Sequence, residues 1–181
     1  MRVGVLAIQG DVSEHLSIAE KALKEMGIKG NAVPVKKNLR IDALIIPGGE
    51  STAIFKVMKK TGLSDKIKKT SLPVMGTCAG CVLMDRKHLG LMDMDVERNA
   101  FGRQKESFEA NIEIKGFKKS YHGIFIRAPV ITHVYGKCKI LAKFENRIVM
   151  AQEDNRLALS FHPELTDDTR IHRYFLSLIK K

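Results

Sequence analysis

In the first half of the chain, short apolar runs alternate with segments whose apolar residues return every three or four positions. That is the pattern of a parallel sheet with helices laid on its faces. Residues 2 to 8 form the first run, and Val3 to Ile8 is apolar enough for a strand. Leu16, Ala19, Leu23 and Met26 then share one helical face, which Gly27 is placed to terminate. A second strand is expected near Lys29 to Val35. Ala43 to Ile46 is a continuous apolar run, as expected for a strand covered on both faces, and Pro47-Gly48-Gly49 breaks it. Glu50 or Ser51 opens the next helix. Val74 to Thr77 is another short strand, running straight into Cys78, after which Ala79 to Lys87 can turn helical.

From about Ala100 the texture changes to strand-like runs with short turns between them. These are Phe108 to Ile114, Gly123 to Arg127, Ile140 to Phe144, Arg147 to Gln152 and Leu157 to Phe161. A partly antiparallel second half follows. Ile171, Tyr174, Phe175, Leu178 and Ile179 return at helical spacing after Thr166, Asp167 and Asp168, so a helix capped by one of those three residues is expected near the end. Neither an internal repeat nor a linker interrupts the 181 residues, a length that suits one domain with a single core.

Composition narrows the class without naming a function. With 44% hydrophobic and 28% charged residues and only 5 Pro, extended disorder is disfavoured. The net charge of +11 could mark a nucleic-acid binder or an acidic partner. Its lysines, however, are scattered in pairs such as Lys36-Lys37, Lys59-Lys60, Lys68-Lys69 and Lys118-Lys119, with no stripe of interleaved aromatics, so a solvated basic surface is favoured. The first apolar run is too short for a secretory signal, and no stretch approaches a membrane span, so a cytoplasmic protein that binds neither membrane nor nucleic acid is expected. Three cysteines, Cys78, Cys81 and Cys138, are an odd number in such a chain and are expected to be free thiols.

Two short motifs carry candidate chemistry. Gly76-Thr77-Cys78-Ala79-Gly80 lies where a strand meets a helix, the setting of a nucleophile elbow with cysteine in the serine position. Its glycines allow a tight turn, a helix N-terminus favours thiolate, and the local amides can meet an oxyanion. Taken alone, the motif equally fits a small buried cysteine in a glycine-rich turn. His162-Pro163-Glu164 follows the run Leu157 to Phe161. Residues i and i+2 of an extended chain point the same way, so with Pro163 holding the step extended, Glu164 can lie beside His162 and fix its tautomer. The two motifs together offer nucleophile, base and orienting acid at one sheet edge. A second strand-to-helix turn, Pro47-Gly48-Gly49-Glu50-Ser51, offers amides for an oxyanion or a carboxylate.

These motifs resemble class I glutamine amidotransferases. Five stretches, Val5 to His15, Pro47 to Thr52, Val96 to Phe108, Phe125 to Pro129 and Ser160 to Leu165, are similar to one branch of them, the glutaminase subunits of pyridoxal 5'-phosphate synthase. Within those stretches, Arg98 to Gln104 and Phe125 to Pro129 are the most selective for that branch. The resemblance implies a three-layer α/β fold with a mixed, largely parallel sheet, and a catalytic triad of Cys78, His162 and Glu164. It also implies glutamine held by Gly49, Glu50, Ser51, Arg98, Ile126 and Arg127, and an oxyanion received by amides of Gly48, Gly49 and Ala79. Ammonia would pass to a synthase subunit within a large hetero-oligomer, with no cofactor and no metal on this chain. An arginine and backbone amides do suit the α-carboxylate of glutamine.

The sequence departs from these relatives at Cys81, where many carry an aliphatic residue, and in a segment from Asp85 to Leu91 that is shorter than in some. Cys78 and Cys81 form a Cys-x-x-Cys, which also reads as a thiol-disulfide exchange motif. That reading leaves His162, Glu164 and the glycine turn without a role. A glutaminase serving another amidotransferase synthase is the other alternative.

Overall fold

The computed structural model describes residues 1–101 and 107–179. The last three residues of the selective Arg98 to Gln104 motif lie outside them.

Four short apolar runs become the parallel half of the sheet: β1 (Arg2–Leu6), β2 (Asn31–Val35), β3 (Ala43–Ile46) and β4 (Val74–Thr77). β1 lies between β2 and β3, β4 follows β3, and all of these pairings are parallel. Helical crossovers supply the return paths that parallel pairing demands. α1 (Val12–Glu25) links β1 to β2, and α2 (Ser51–Lys60) with α3 (Leu63–Lys68) links β3 to β4. α1 ends as its spacing predicts. Gly27 takes φ +65° just beyond the last turn, and the Ile28 amide reaches back to the Leu23 carbonyl at 3.0 Å.

Strand β3 shows why the sheet is covered twice. Its four residues are all buried. Ala43 and Ile45 enter the cluster formed with α1 and with the final helix α5 (Arg170–Ser177), whereas Leu44 and Ile46 enter the cluster formed with α2, α3 and the short α4 (Ala79–Leu83). Side chains alternate across a strand, so a continuous apolar run feeds two cores at once. Helices on both faces make the expected three-layer α/β arrangement.

The second half is antiparallel, with one exception that places the site. β10 (Arg147–Glu153) pairs antiparallel with β11 (Arg156–Leu159), β9 (Lys139–Phe144) and β8 (Val130–Val134), and β8 pairs antiparallel with β5 (Met94–Glu97). β11 itself runs parallel to β4. The full order is β2-β1-β3-β4-β11-β10-β8-β5, with β9 also on β10. β6 (Ser107–Ile112) and β7 (Tyr121–Ile126) form a separate antiparallel hairpin. Its Ile112, Tyr121 and Phe125 pack into the α1/α5 cluster.

Four features differ from the sequence reading. β5, β8 and α3 are additional elements; β5 and α3 are only four and six residues long, too short for periodicity to register. α4 stops at Leu83 rather than running to Lys87, because Asp85 Oδ1 accepts from the amides of Lys87 and His88, both at 2.9 Å, and draws the backbone out of the helix. The cap of α5 falls at Thr169, whose side chain accepts no helix amide; Asp168 Oδ1 accepts from the Arg170 amide at 3.0 Å. Pro163–Leu165 is a 3-10 turn rather than extended chain.

Candidate active site

The C-terminal ends of β1, β3, β4 and β11 face the same way, so the turns that follow them meet in one crevice. Cys78 sits at the turn after β4, with φ 48° and ψ −106°. A non-glycine residue holds such a backbone only when its surroundings impose it. Here the Cys78 amide donates to the Leu159 carbonyl of β11 at 2.9 Å, and the thiol donates to the Ile126 carbonyl at 3.8 Å. Gly80 lets α4 press directly onto β3, since a Cβ there would lie 2.0 Å from the Ile46 oxygen. Cys78 is buried, only 9% exposed.

His162 follows β11. Its amide donates to the Ile124 carbonyl at 2.8 Å, fixing the backbone against the β6–β7 hairpin. Nδ1 lies 2.6 Å from Glu164 Oε1 and 3.3 Å from Asp11 Oδ2. The tight 3-10 turn, not an extended i, i+2 step, brings Glu164 back beneath the ring, with Pro163 at its first position, where the missing amide costs nothing. An ionised carboxylate can only accept, so Nδ1 carries the proton and Nε2 is the edge left free; Nε2 is buried without a partner. Burial disfavours charge on the ring, but the nearby Asp11, Cys78 and Glu164 outweigh it and raise the imidazole's proton affinity well above the ordinary histidine range. Burial also holds the Glu164 carboxyl above its usual value, opposed by the bond to His162. Asp11 moves the other way, lowered chiefly by its hydrogen bond to His162.

The glycine turn closes the third side. Gly49 has φ +134°, open to glycine alone at no cost. Glu50 caps α2, its Oε1 and Oε2 accepting from the amides of Thr52 and Ala53 at 3.1 and 2.7 Å. Those two amides hold its carboxyl below the usual range. Arg98 arrives from the end of β5 and donates to Glu50 Oε1 at 3.0 Å and Thr52 Oγ1 at 2.8 Å.

A cavity of about 350 Å³ joins these parts. Of the residues expected in the site, Gly49, Glu50, Ser51, Cys78, Ala79, Arg98, Ile126, Arg127 and His162 all line it. Glu164 stands behind His162, fully buried. Gly48 also lies behind the wall, facing the imidazole, where a Cβ would come within 2.6 Å of His162 Cε1. Chemically the crevice offers a sulfur nucleophile, an imidazole with one edge free, and room for a small polar substrate.

Five residues in or behind the site were not singled out from the sequence. Gln9, Asp11 and Val82 line the cavity, and His15 and His172 lie buried behind Glu164. The one signal available was His15 on the apolar face of α1, three, four, seven and eight residues before Ile18, Ala19, Ala22 and Leu23. Asp11, His162 and Glu164 place donor atoms within 4.8 Å of one another. Both carboxylates are turned to the single proton on Nδ1, which makes a hydrogen-bonded cluster rather than a coordination set.

Cys81 takes no part in this crevice. It is completely buried in the α2–α4 core, where burial pushes its thiol well above the ordinary value, the opposite of what disulfide exchange needs. All three cysteines are free thiols.

A model of the SNO glutamine amidotransferase family matches residues 5–181. The pyridoxal 5'-phosphate synthase subunit PdxT of Pyrococcus abyssi is 47% identical over 192 residues, covering 97% of this chain and 98% of that relative. The PdxT subunit of Brevibacillus brevis is likewise 47% identical over 194 residues, covering 100% and 98%. A crystal structure of a glutamine amidotransferase superposes with a TM-score of 0.84 at 45% identity, over 98% of both chains. A second amidotransferase structure, from Thermotoga maritima, reaches a TM-score of 0.67 at 17% identity over 98% of this chain and 81% of its own, and shares the fold.

Proposed function

The chain belongs to the SNO glutamine amidotransferase family, and from that premise we propose that its full length is a glutaminase domain. It hydrolyses L-glutamine to L-glutamate and ammonia, and it delivers the ammonia to a synthase subunit that makes pyridoxal 5'-phosphate. The observation that supports this best is the Cys78–His162–Glu164 constellation, with Cys78 and His162 on the cavity wall and Glu164 behind them, the Nδ1 edge of His162 occupied at 2.6 Å and the Nε2 edge free.

The reaction assigns one task to each group. Cys78, as thiolate, attacks the side-chain amide carbon of glutamine, and the carbonyl electron pair becomes an oxyanion received by amides of the glycine turn and Ala79. His162 Nε2–H gives its proton to the departing nitrogen, and ammonia leaves behind a thioester. The same Nε2 then removes a proton from water, whose oxygen attacks the thioester carbon; glutamate departs and the sulfur is restored. Glu164 keeps the imidazole oriented and supports its charge throughout. Arg98, Arg127 and the amides of the Gly49–Ser51 turn receive the α-carboxylate and position the substrate, with Glu50 and the Ile126 carbonyl facing its α-ammonium. No step draws on a metal or organic cofactor.

Ammonia is small and diffuses freely, so a partner that receives it directly suits this chemistry. The relatives' names give the partner its class, a pyridoxal 5'-phosphate synthase. Among the described residues no helix is long and apolar enough to cross a membrane, and a cytoplasmic location is proposed with the function.

Glutamate release by purified protein, alone and mixed with the synthase subunit, tests the reading. Release that requires Cys78 supports it. Absence of release in both conditions, with the protein folded, would sink it. Arg98→Ala should raise the glutamine concentration for half-maximal rate by about 10-fold or more, the usual effect of losing a charge-assisted contact.

A further inference from the structure

Behind the triad lies a row of buried polar groups that the proposed reaction does not use. His15, on the first turns of α1, is completely buried. Its Nε2 lies 3.3 Å from Glu164 Oε2 and 3.0 Å from Thr77 Oγ1, and its Nδ1 lies 3.3 Å from Nε2 of His172 on α5. We propose that His15 and His172 are positioning residues: a neutral His15, its tautomer fixed by His172, donates its Nε2 proton to Glu164 and holds that carboxylate on the Nδ1 edge of His162. The proposal rests on the triad reading above.

Supplying the buried Glu164 Oε2 with a donor selects one proton arrangement along the row. Glu164 Oε1 accepts from His162 Nδ1, and Oε2 is buried without a hydrogen-bond partner, with His15 Nε2 3.3 Å away and able to supply a proton. Nε2 therefore carries hydrogen, shared between Oε2 and the Thr77 hydroxyl. A neutral ring has only one N–H, so His15 Nδ1 is bare and must accept, and His172 supplies the proton from its own Nε2. That leaves His172 Nδ1 as a bare acceptor, and like Glu164 Oε2 it is buried without a hydrogen-bond partner. The row ends where the accounting requires.

Burial enforces neutrality on both rings. It drives His15 well below the ordinary histidine value, helped by the neighbouring His172 and His162, and it lowers His172 to about 3. The charged groups facing the row are Glu164 from the 3-10 turn, Asp11 from the start of α1, and His162 after β11; Thr77 of β4 and His172 of α5 are neutral. Neutrality matters. A cationic His15 would cancel the charge by which Glu164 supports the imidazolium, whereas a neutral donor aims the carboxylate and leaves its charge intact. Through this row α1 and α5, whose helices sit on the sheet face away from α4, set the orientation of the triad acid.

Two measurements decide it. In ¹⁵N-labelled protein, imidazole correlations should show His15 neutral with hydrogen on Nε2 from about pH 6 to pH 8; an Nδ1–H tautomer or a protonated ring overturns the proposal whatever the variants do. The second is the pH profile of Cys78 alkylation by iodoacetamide, read beside turnover. His15→Leu should lower kcat about 10- to 100-fold with KM changed less than about 2-fold, and should move the alkylation midpoint to higher pH. His15→Gln, whose amide can still donate, should recover most of both. A folded His15→Leu protein with unchanged kcat and midpoint refutes the role. If His15→Leu fails to fold, His172→Leu takes its place: removing only the tautomer lock should give a smaller shift in the same direction, and no shift counts against the proposal. Neither the tautomer nor the alkylation profile needs glutamine turnover, so a failure of the glutaminase reading and a failure of this one are told apart.

Discussion

Six described non-glycine residues adopt positive φ, and they fall into two groups. Glu145, Asn146 and Asp154, at φ 47°, 63° and 51°, lie in the two-residue turns that join β9 to β10 and β10 to β11. Cys78, Asn99 and Arg127, at φ 48°, 51° and 42°, line the cavity. In the hairpins the cause is local. A two-residue connection twisted like its strands demands left-handed residues, and Asn and Asp tolerate them best. On the cavity wall the cause is remote: Cys78 is held by the Leu159 carbonyl of another strand and by close packing of Gly80 on Ile46. Strain of about 1–3 kcal/mol per residue persists at such a site only because the packing around it over-determines the backbone. The comparison separates turns that a chain makes for itself from a turn that the whole fold imposes.

Substitution at Cys78 should give the largest effect and the sharpest view of that strain. Cys78→Ala is expected to remove glutamine hydrolysis by a factor on the order of 10⁶ while the protein stays folded. Cys78→Gly should be equally inactive yet more stable than Cys78→Ala by about 1 kcal/mol in denaturant titration, because glycine accepts the left-handed backbone without penalty. Equal stability of the two variants would mean that the elbow is unstrained.

Gly48→Ala tests how tightly the wall fits. The added methyl would lie 2.6 Å from His162 Cε1 and 2.9 Å from Asp11 Oδ2, so the imidazole must move. A loss of about 100-fold in kcat is expected from a displacement of this kind. Turnover close to wild type would show that the ring has room to spare.

Asp11→Asn should act more gently and through pH. The folded protein binds the His162 proton more tightly than the unfolded chain does. Its contribution to stability is therefore complete below about pH 6.5 and is lost as pH rises through the folded value. Removing the Asp11 charge should bring that alkaline loss to lower pH and shift the alkylation midpoint of Cys78 upward by about one unit. Thermal melts and alkylation rates across the alkaline range read both effects, and superimposable curves would remove Asp11 from the site.

At the other end of the scale, Asn146→Ala should cost about 1 kcal/mol of stability and leave turnover untouched, since the hairpin strain is confined to its own turn. A loss of activity there would break the separation between the two groups.

Short-range chemistry determined a good deal of this protein from sequence alone. β3 and β4 begin and end where the apolar runs do, because a strand buried on both faces needs no partner to reveal it. The elbow at Cys78, the capping position of Glu50 and the nearness of His162 to Glu164 are likewise set by residues a few positions apart. Tertiary structure decided the rest. β5 and α3 carry too few residues for a period to show, and the chain from His162 to Glu164 turns through a 3-10 step that the extended reading of Pro163 did not foresee. Asp11, His15 and His172 reach the triad from 151 positions before His162, 149 before Glu164 and 8 after Glu164, and apart from the apolar helix face that carries His15 no local pattern marks them. Their place follows from parallel pairing through β1, β3, β4 and β11, which sets the end of the last strand and the start of the first helix at the same end of the sheet. Only the assembled sheet brings the carboxylate of Asp11 and the buried imidazoles to the side chains that need them.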